Sequence, residues 1–403
     1  MISVAVQFLE DAPELKEISP QAARERLREA CMLLPVSKLL LGWNIPQALW
    51  DAVVEETARL GVRLYRWQPL LTGDGVLFPR PEWQTVGMDG RRVPGFRDLP
   101  EFTFMCPNKP EVQEAVCTHL LEVSAPPFQG VFLDRIRFPS PASNPSAYLG
   151  CFCEDCCQAA RAEGLDLAAF RQVLQTWIKT PEAARCLTAS LLGNCLPDLP
   201  GDVADGLRDF FRFRAKSISN FVSLAAETAS SRGMEIGLDC FSPSLARMVG
   251  QDLGALSQVC DWIKMMTYAH AWGPAGLPYE LMGLAGFLNQ NAELGEVEAL
   301  DFLKKQTNLV LPGTFQDLRA QGLPSAALAS EVRQGRKLSV RSLYAGLELV
   351  EIAGVCELEA EQIRQDWSAV LEAGVDGVVL SWDLWHMPLD RLKLVRDILE
   401  KYA

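Results

Sequence analysis

Eight apolar runs of strand length alternate along the chain with stretches of helical periodicity. The three longest interruptions follow runs three, four and six, and no low-complexity linker divides the sequence. Together these predict a (β/α)8 barrel, the TIM-barrel class of α/β fold, as a single domain over 1–403. Whatever follows a strand in such a barrel stands over its carboxyl-end face, where barrel enzymes keep their sites, so the long interruptions carry a functional expectation too. A doubly wound open sheet is the competing architecture, but no glycine-rich turn follows the first run as a dinucleotide-binding fold would require.

The elements follow in order. Residues 2–8 form run one; Ser19 and Pro20 then offer an N-cap and a first-turn proline, and Ala23, Leu27, Ala30, Cys31 and Leu34 recur at helical spacing. Run two is 38–43. The next helix opens at Pro46, carries Leu49, Val53 and Leu60 on one stripe and stops at Gly61. Run three is 62–67, and the interruption 68–109 contains an Asp89-Gly90 pair suited to a hairpin turn. Pro110 opens the third helix (Val112, Val116, Leu120), and run four lies in 130–139. A helical, cysteine-rich insertion occupies 140–206. Leu207, Phe210, Phe211, Ile218, Phe221, Val222 and Ala225 then mark an amphipathic helix ending near Gly233. Run five is 234–239, a short helix fits 252–258, and run six is 262–268. The third interruption, 270–324, leads to a helix over 326–336. Run seven (342–348), a helix lined by Ile363, Trp367, Val370 and Leu371, run eight (377–383) and a last helix opened by Pro388 complete the set.

Composition narrows the function. A hydrophobic fraction of 49% supplies a large core, and a formal charge of −13 argues against a nucleic-acid or anionic-membrane surface, which needs clustered Lys and Arg. No apolar run approaches ~18 residues and the start has no basic n-region, so the expectation is a cytoplasmic protein that acts on a small molecule or an oligosaccharide.

Run four ends abruptly in charge. A parallel strand buried on both faces should be almost wholly apolar, so Asp134, Arg135 and Arg137 need a reason: a site or a buried ion pair. Asp239, Glu348 and Asp383 close runs five, seven and eight in the same way. Carboxylates paired at a barrel mouth are what glycosidic-bond cleavage requires, one to protonate the leaving oxygen and one to attack or to activate water. Asp134, Glu348 and Asp239 are therefore the catalytic candidates. Strand alternation puts Asp134 in the lumen with Phe132 and Ile136 and turns Arg135 and Arg137 toward the helices unless a bulge intervenes; Glu348 shares a face with Gly346 and Tyr344, and Asp383 with Ser381. Each acid has a structural alternative, and for Asp383, just ahead of Leu384 to Pro388, a helix cap and a site weigh equally.

Trp43, Trp67, Tyr268, Trp272, Trp382 and Trp385 lie at or beyond strand ends. Singly each reads as core, but as a ring around four acids their flat faces suit sugar rings. Asp383, Tyr268, His270, Lys264, Arg137, Trp43, Trp67, Trp272 and Trp382 are the residues expected to hold a ligand.

The chain has three histidines with no His-x-His or His-x-x-x-His pair, which argues against a histidine-ligated catalytic metal. Eight of the twelve cysteines are scattered singly, while Cys151, Cys153, Cys156 and Cys157 cluster. The cluster is compact enough to ligate zinc with Cys106 as a fourth ligand, but structural zinc usually draws on two separated pairs. The missing second pair tilts the reading toward reduced packing thiols, and no cofactor is required.

The motif Leu133-Asp134-Arg135-Ile136-Arg137-Phe138-Pro139, the run Cys151-Phe152-Cys153-Glu154-Asp155-Cys156, Phe241-Ser242-Pro243 with Gly250-Gln251-Asp252, and Asp261-Trp262-Ile263-Lys264-Met265-Met266-Thr267-Tyr268 resemble the uncharacterised glycoside-hydrolase-like TIM-barrel proteins. The resemblance covers about 106–268, with a weaker echo at 344–348. It implies a carbohydrate-active barrel with Asp134 as the foremost catalytic candidate. A glycoside hydrolase or transglycosidase is the leading expectation. A barrel that binds a saccharide without cleaving it, and a lyase, isomerase or aldolase with Lys264 as Schiff base, are the alternatives.

Overall fold

A computed structural model describes residues 2–10, 13–142, 144–196, 199 and 201–402. The strands are β1 (Ser3–Phe8), β2 (Val36–Leu41), β3 (Arg63–Pro69), β4 (Gly130–Asp134), β5 (Glu235–Phe241), β6 (Trp262–Met266), β7 (Ser342–Glu348) and β8 (Gly377–Ser381). Each pairs in parallel with the next and β8 returns to β1, so the predicted eight-stranded barrel is the fold observed. Two strands stop short of the sequence expectation: β6 ends at Met266 and β8 at Ser381, which leaves Tyr268 and Asp383 in turns beyond them.

Strand alternation sorts the apolar side chains into two cores. Val4, Val6, Leu39, Leu41, Val131, Leu133, Ile236 and Leu238 face outward under the helices. Ala5, Leu40, Trp43, Tyr65, Trp67, Phe132, Trp262, Tyr344 and Val379 fill the lumen. Five of those nine are aromatics from β3, β4, β6 and β7, too bulky to coexist unless some positions between them carry no side chain. Gly237 of β5 is such a position. It pairs with Phe132 on one side and Trp262 on the other, and the two rings stack over it at 5.1 Å and 2°. A Cβ there would lie 2.2 Å from the Trp262 ring. The aromatic plug closes the lumen from below, where Lys38 sits over the Tyr65, Trp262 and Tyr344 rings and pairs with Glu235, and separates that end from the polar groups at the carboxyl-end rim.

Alternation fails at one place, and the failure matters. Arg135 and Arg137 do not face the helices: β4 stops at Asp134, and Arg135 takes a left-handed backbone (φ 53°), which swings both guanidinium groups over the mouth. Ile136, expected in the lumen, joins the outer core instead.

The segments between β3 and the helix Pro110–Val123, between β4 and β5, and between β6 and β7 rise on the carboxyl-end side. The second carries the helices Pro145–Tyr148, Glu154–Ala162, Leu167–Trp177 and Pro181–Leu191 before the long helix Gly201–Ser230, which starts several residues earlier than its apolar stripe suggests.

Filling the space under the Phe132–Trp262 stack is expected to be felt throughout the barrel. Gly237→Ala should lower the unfolding free energy by about 1–3 kcal/mol in urea denaturation, and an unchanged midpoint would contradict the close approach.

Candidate active site

The strand register sets the centre of the mouth. Pro69 pairs with Asp134, Leu133 with Leu238 and Asp239 with Lys264, so Asp134, Asp239 and Lys264 stand at one level on three adjacent strands. Neighbouring strands lie about 4.8 Å apart, which makes the two carboxylates immediate neighbours. Above them opens a cavity of about 230 Å³, lined by Gln7, Glu10, Trp67, Asp134, Arg135, Arg137, Asp239, Tyr268, Trp272 and Trp382 among others.

The cavity floor is a buried ion pair. Lys264, fully buried, places Nζ 2.9 Å from Asp239 Oδ2 and 3.1 Å from Gln7 Oε1, and the Ser381 hydroxyl donates to the same Gln7 oxygen at 2.8 Å. Gly346 makes room for it, since a Cβ there would come 2.4 Å from Lys264 Cε. Two floor atoms, Asp239 Oδ1 and Gln7 Nε2, are buried without any hydrogen-bond partner, and the Tyr268 hydroxyl lies near Ser381 without hydrogen-bond geometry. All three atoms belong to residues that line the cavity, where a ligand could satisfy them. Burial pushes the Asp239 carboxyl up to about 7 against the pull of Lys264, with neighbouring Asp134 pushing the same way.

Asp134 accepts from Trp67 Nε1 at 3.0 Å, which fixes one oxygen and sets the indole on the cavity wall. Trp67 meets Trp43 edge-on at 5.1 Å; Trp43 supports this wall from within the lumen core and does not line the cavity. Trp382 lies edge-on to Tyr268 at 5.5 Å, and Trp272 closes the rim. Arg137 is buried against Phe104 and Phe241 and donates to the Phe138 carbonyl at 3.2 Å. No carboxylate lies within ion-pair distance of it among the described residues, and burial lowers its guanidinium to about 10.

Sequence reasoning missed Glu10. It lies two residues past β1, a third of its side chain is open, and it pairs with Arg135 at 3.2 Å. Burial pushes its carboxyl up to about 7, Arg135 pulls the other way, and Asp134 and Asp383 push it further. The signal was available, since Glu10 is one more acid just beyond a strand end. Glu280 was missed as well. It lies in a second cavity of about 220 Å³ that shares Phe96, Arg97, Phe102 and Arg137 with the first. As an acid in the first turn of the helix Leu277–Asn291 it carried no distinguishing sequence mark.

Besides Trp43 and the buried Lys264, three predicted site residues do not line the mouth cavity. Asp383 accepts from the Trp385 and Glu10 amides, both at 2.9 Å, so it caps a short turn and fixes the backbone of Glu10. His270 sits in adjoining clefts, between Asp366 (2.8 Å) and the Gln321 carbonyl (2.9 Å). Burial opposes its charged form, but Asp366 and Glu348 outweigh it and raise the imidazole above its ordinary value. Glu348 is buried behind the mouth and accepts the His270 amide at 2.6 Å.

The four cysteines considered for zinc do meet. The sulfurs of Cys106, Cys151, Cys153 and Cys156 all lie within 4.8 Å of one another, and all four residues are buried. The ligand that the local run lacks comes from the loop after β3.

Comparison with solved structures finds similar folds among carbohydrate-active proteins. The chain matches the PgaB (BpsB) glycoside hydrolase domain of Bordetella bronchiseptica over 98% of both chains, at a TM-score of 0.56 and 14% identity. It matches a β-galactosidase from the psychrophilic Marinomonas ef1 with all of its own length and 60% of that chain, at 0.61 and 11%. The catalytic domain of a Paenibacillus polymyxa β-amylase matches over 100% of this chain and 98% of that one, at 0.52 and 11%. At these identities the likeness is one of fold. No family model and no curated protein matches the sequence.

Burial has raised Glu348 from 4.5 to about 7, so the folded protein holds its proton more tightly than the unfolded chain. Its stabilising contribution is complete below about pH 4.5 and is lost as pH rises through about 7. The variant Glu348→Gln does not titrate, and its Tm should gain on the parent's across that window. Parallel Tm profiles would contradict the placement.

Proposed function

We propose that the protein is a glycoside hydrolase or transglycosidase. The observation that carries this reading is the convergence of Asp134, Asp239 and Glu10 on one cavity walled by Trp67, Trp272 and Trp382. Asp134 acts as nucleophile or base: Trp67 and the strand-end backbone orient it, and it faces the open cavity. Asp239 is the general acid. Its Oδ2 is occupied by Lys264, while Oδ1 has no partner, so a proton on Oδ1 has only a ligand oxygen to meet. A carboxyl near neutrality can both hold a proton at physiological pH and release it to a leaving group.

This assignment prefers Asp239 to Glu348, which lies behind the cavity wall, and gives Glu10 and Arg135 the task of holding sugar hydroxyls. The tryptophans and Tyr268 stack against the ring faces, and the buried Arg137 guanidinium, which lines the cavity, donates from the far side. The adjoining cavity shares a wall with the mouth, which favours an oligosaccharide over a single ring. Lys264 serves as the fixed positive charge under Asp239. Its complete burial and its two floor partners disfavour a Schiff-base role. The reaction asks for no resident cofactor.

A hydrolysis screen of α- and β-linked aryl glycosides and oligosaccharides, run beside the variants, tests the reading. Asp134→Asn should lower kcat by at least ~10²-fold with folding intact, and retained activity would overturn it. The parent's rate should fall as pH rises through about 7, as Asp239 loses its proton. Asp239→Asn should lose that limb and keep most of its activity only on substrates with activated leaving groups. Saturable saccharide binding with no product would point instead to a non-catalytic binding barrel.

A further inference from the structure

We infer that Cys106, Cys151, Cys153 and Cys156 form a tetrathiolate zinc site that clips together the two loops walling the mouth. The inference is independent of the reaction assigned to that mouth. Its first support is size. A zinc ion with thiolates at about 2.3 Å holds its four sulfurs about 3.8 Å apart at the corners of a tetrahedron. Here Cys106 and Cys156 are separated by 3.4 Å, Cys106 and Cys153 by 3.6 Å, and no pair exceeds 4.8 Å. That cage fits one ion. An iron–sulfur cluster needs its cysteines spread around two or four irons.

The second support is the surroundings of the sulfurs. The Val86 amide donates to Cys151 Sγ and the Asn108 amide side chain to Cys156 Sγ, both at 3.3 Å. Donors aimed at sulfur suit a thiolate, and groups around the ligands orient them as they do in metal sites. Four thiolates around a dication leave a net negative charge, and two cations stand close by. Arg214, fully buried, donates to the Gly150 carbonyl at 2.6 Å, and Lys109 pairs with Asp155 at 2.5 Å. Packing thiols would not call for donors aimed at their sulfurs.

The third support is topology. Cys106 belongs to the loop after β3, which supplies Phe96, Arg97 and Phe102 to the mouth, and the other three belong to the insertion after β4, whose Pro139, Ser140 and Tyr148 line the adjoining cavity. Backbone ties between these loops are few and local: the Phe152 amide to the Val86 carbonyl at 2.9 Å and a bridge between Gly87 and Gly150. A metal bound from both sides would hold the wall in one position. Binding exchanges thiol protons for zinc, so the site depends on reduced cysteines and involves no electron transfer.

The full chain, purified without chelator under reducing conditions, is expected to contain one zinc per molecule by elemental analysis, and a mercurial titrant should release it as four thiols react. Cys153→Ser should lose the metal, whereas Cys157→Ser, altered at the neighbouring cysteine outside the group, should keep it. Should Cys153→Ser fail to fold, cobalt-reconstituted parent decides, through the charge-transfer and d–d absorption of a tetrahedral tetrathiolate. Metal removal should speed proteolytic cleavage within 70–109 and 140–196. Absence of zinc both as isolated and after reconstitution, iron in its place, or a disulfide within the group would overturn the site. Cleavage that is unaffected by metal removal would overturn the clip.

Discussion

The Lys264 ammonium is the constraint around which the mouth is arranged. A fully buried ammonium needs acceptors at contact distance, and the barrel supplies an Asp239 oxygen and the Gln7 carbonyl oxygen. Those partners come from β5 and β1, on either side of the lumen. The pair therefore fixes where the polar zone begins. Below it stand the aromatics of the lumen core, above it the open cavity, and Gly346 leaves the gap through which the lysine chain lies.

Burial also sets the chemistry of the acids. Glu10, Asp239 and Glu348 are all pushed up to about 7 with desolvation as the largest cause, and each has a cation nearby that limits the rise. Only the first two line the cavity, with Asp134 beside them. Glu348, which closes β7, and Asp383, two residues past β8, are spent on backbone amides: His270 for one, Glu10 and Trp385 for the other. Acids at or near strand ends thus take different roles according to what the adjoining loop offers them.

The loops after β3 and β4 turn a generic barrel rim into a walled cavity. Their aromatic and arginine side chains form one side of it, and the four-cysteine group sits behind that side where the two loops meet. Arg135 spans the same seam, bonding Thr72 and the Glu101 carbonyl of the first loop while pairing with Glu10. This guanidinium reaches the seam only because its backbone is left-handed at the end of β4.

Much of this was legible in the sequence. Strand and helix periodicities are local, so the eight units, the three long interruptions and the acids at strand ends could be read directly, and Asp134, Asp239, Trp67 and Trp382 all reach the mouth. The reversal at Arg135 could not be read, because a single left-handed residue leaves no mark in a period-two pattern. The seats of Glu348 and His270 could not be read either, because hydrogen bonds across 78 and 96 residues decide them. For the cysteines, the sequence showed four closely spaced thiols and offered Cys106 as a further ligand, while the convergence of Cys106 with Cys156 across 50 residues depends on how two loops fold against each other. Short-range pattern thus determined the barrel and its candidate acids. Which acids face the cavity, and which thiols share a centre, was decided by contacts between distant segments, whose geometry no local spacing encodes.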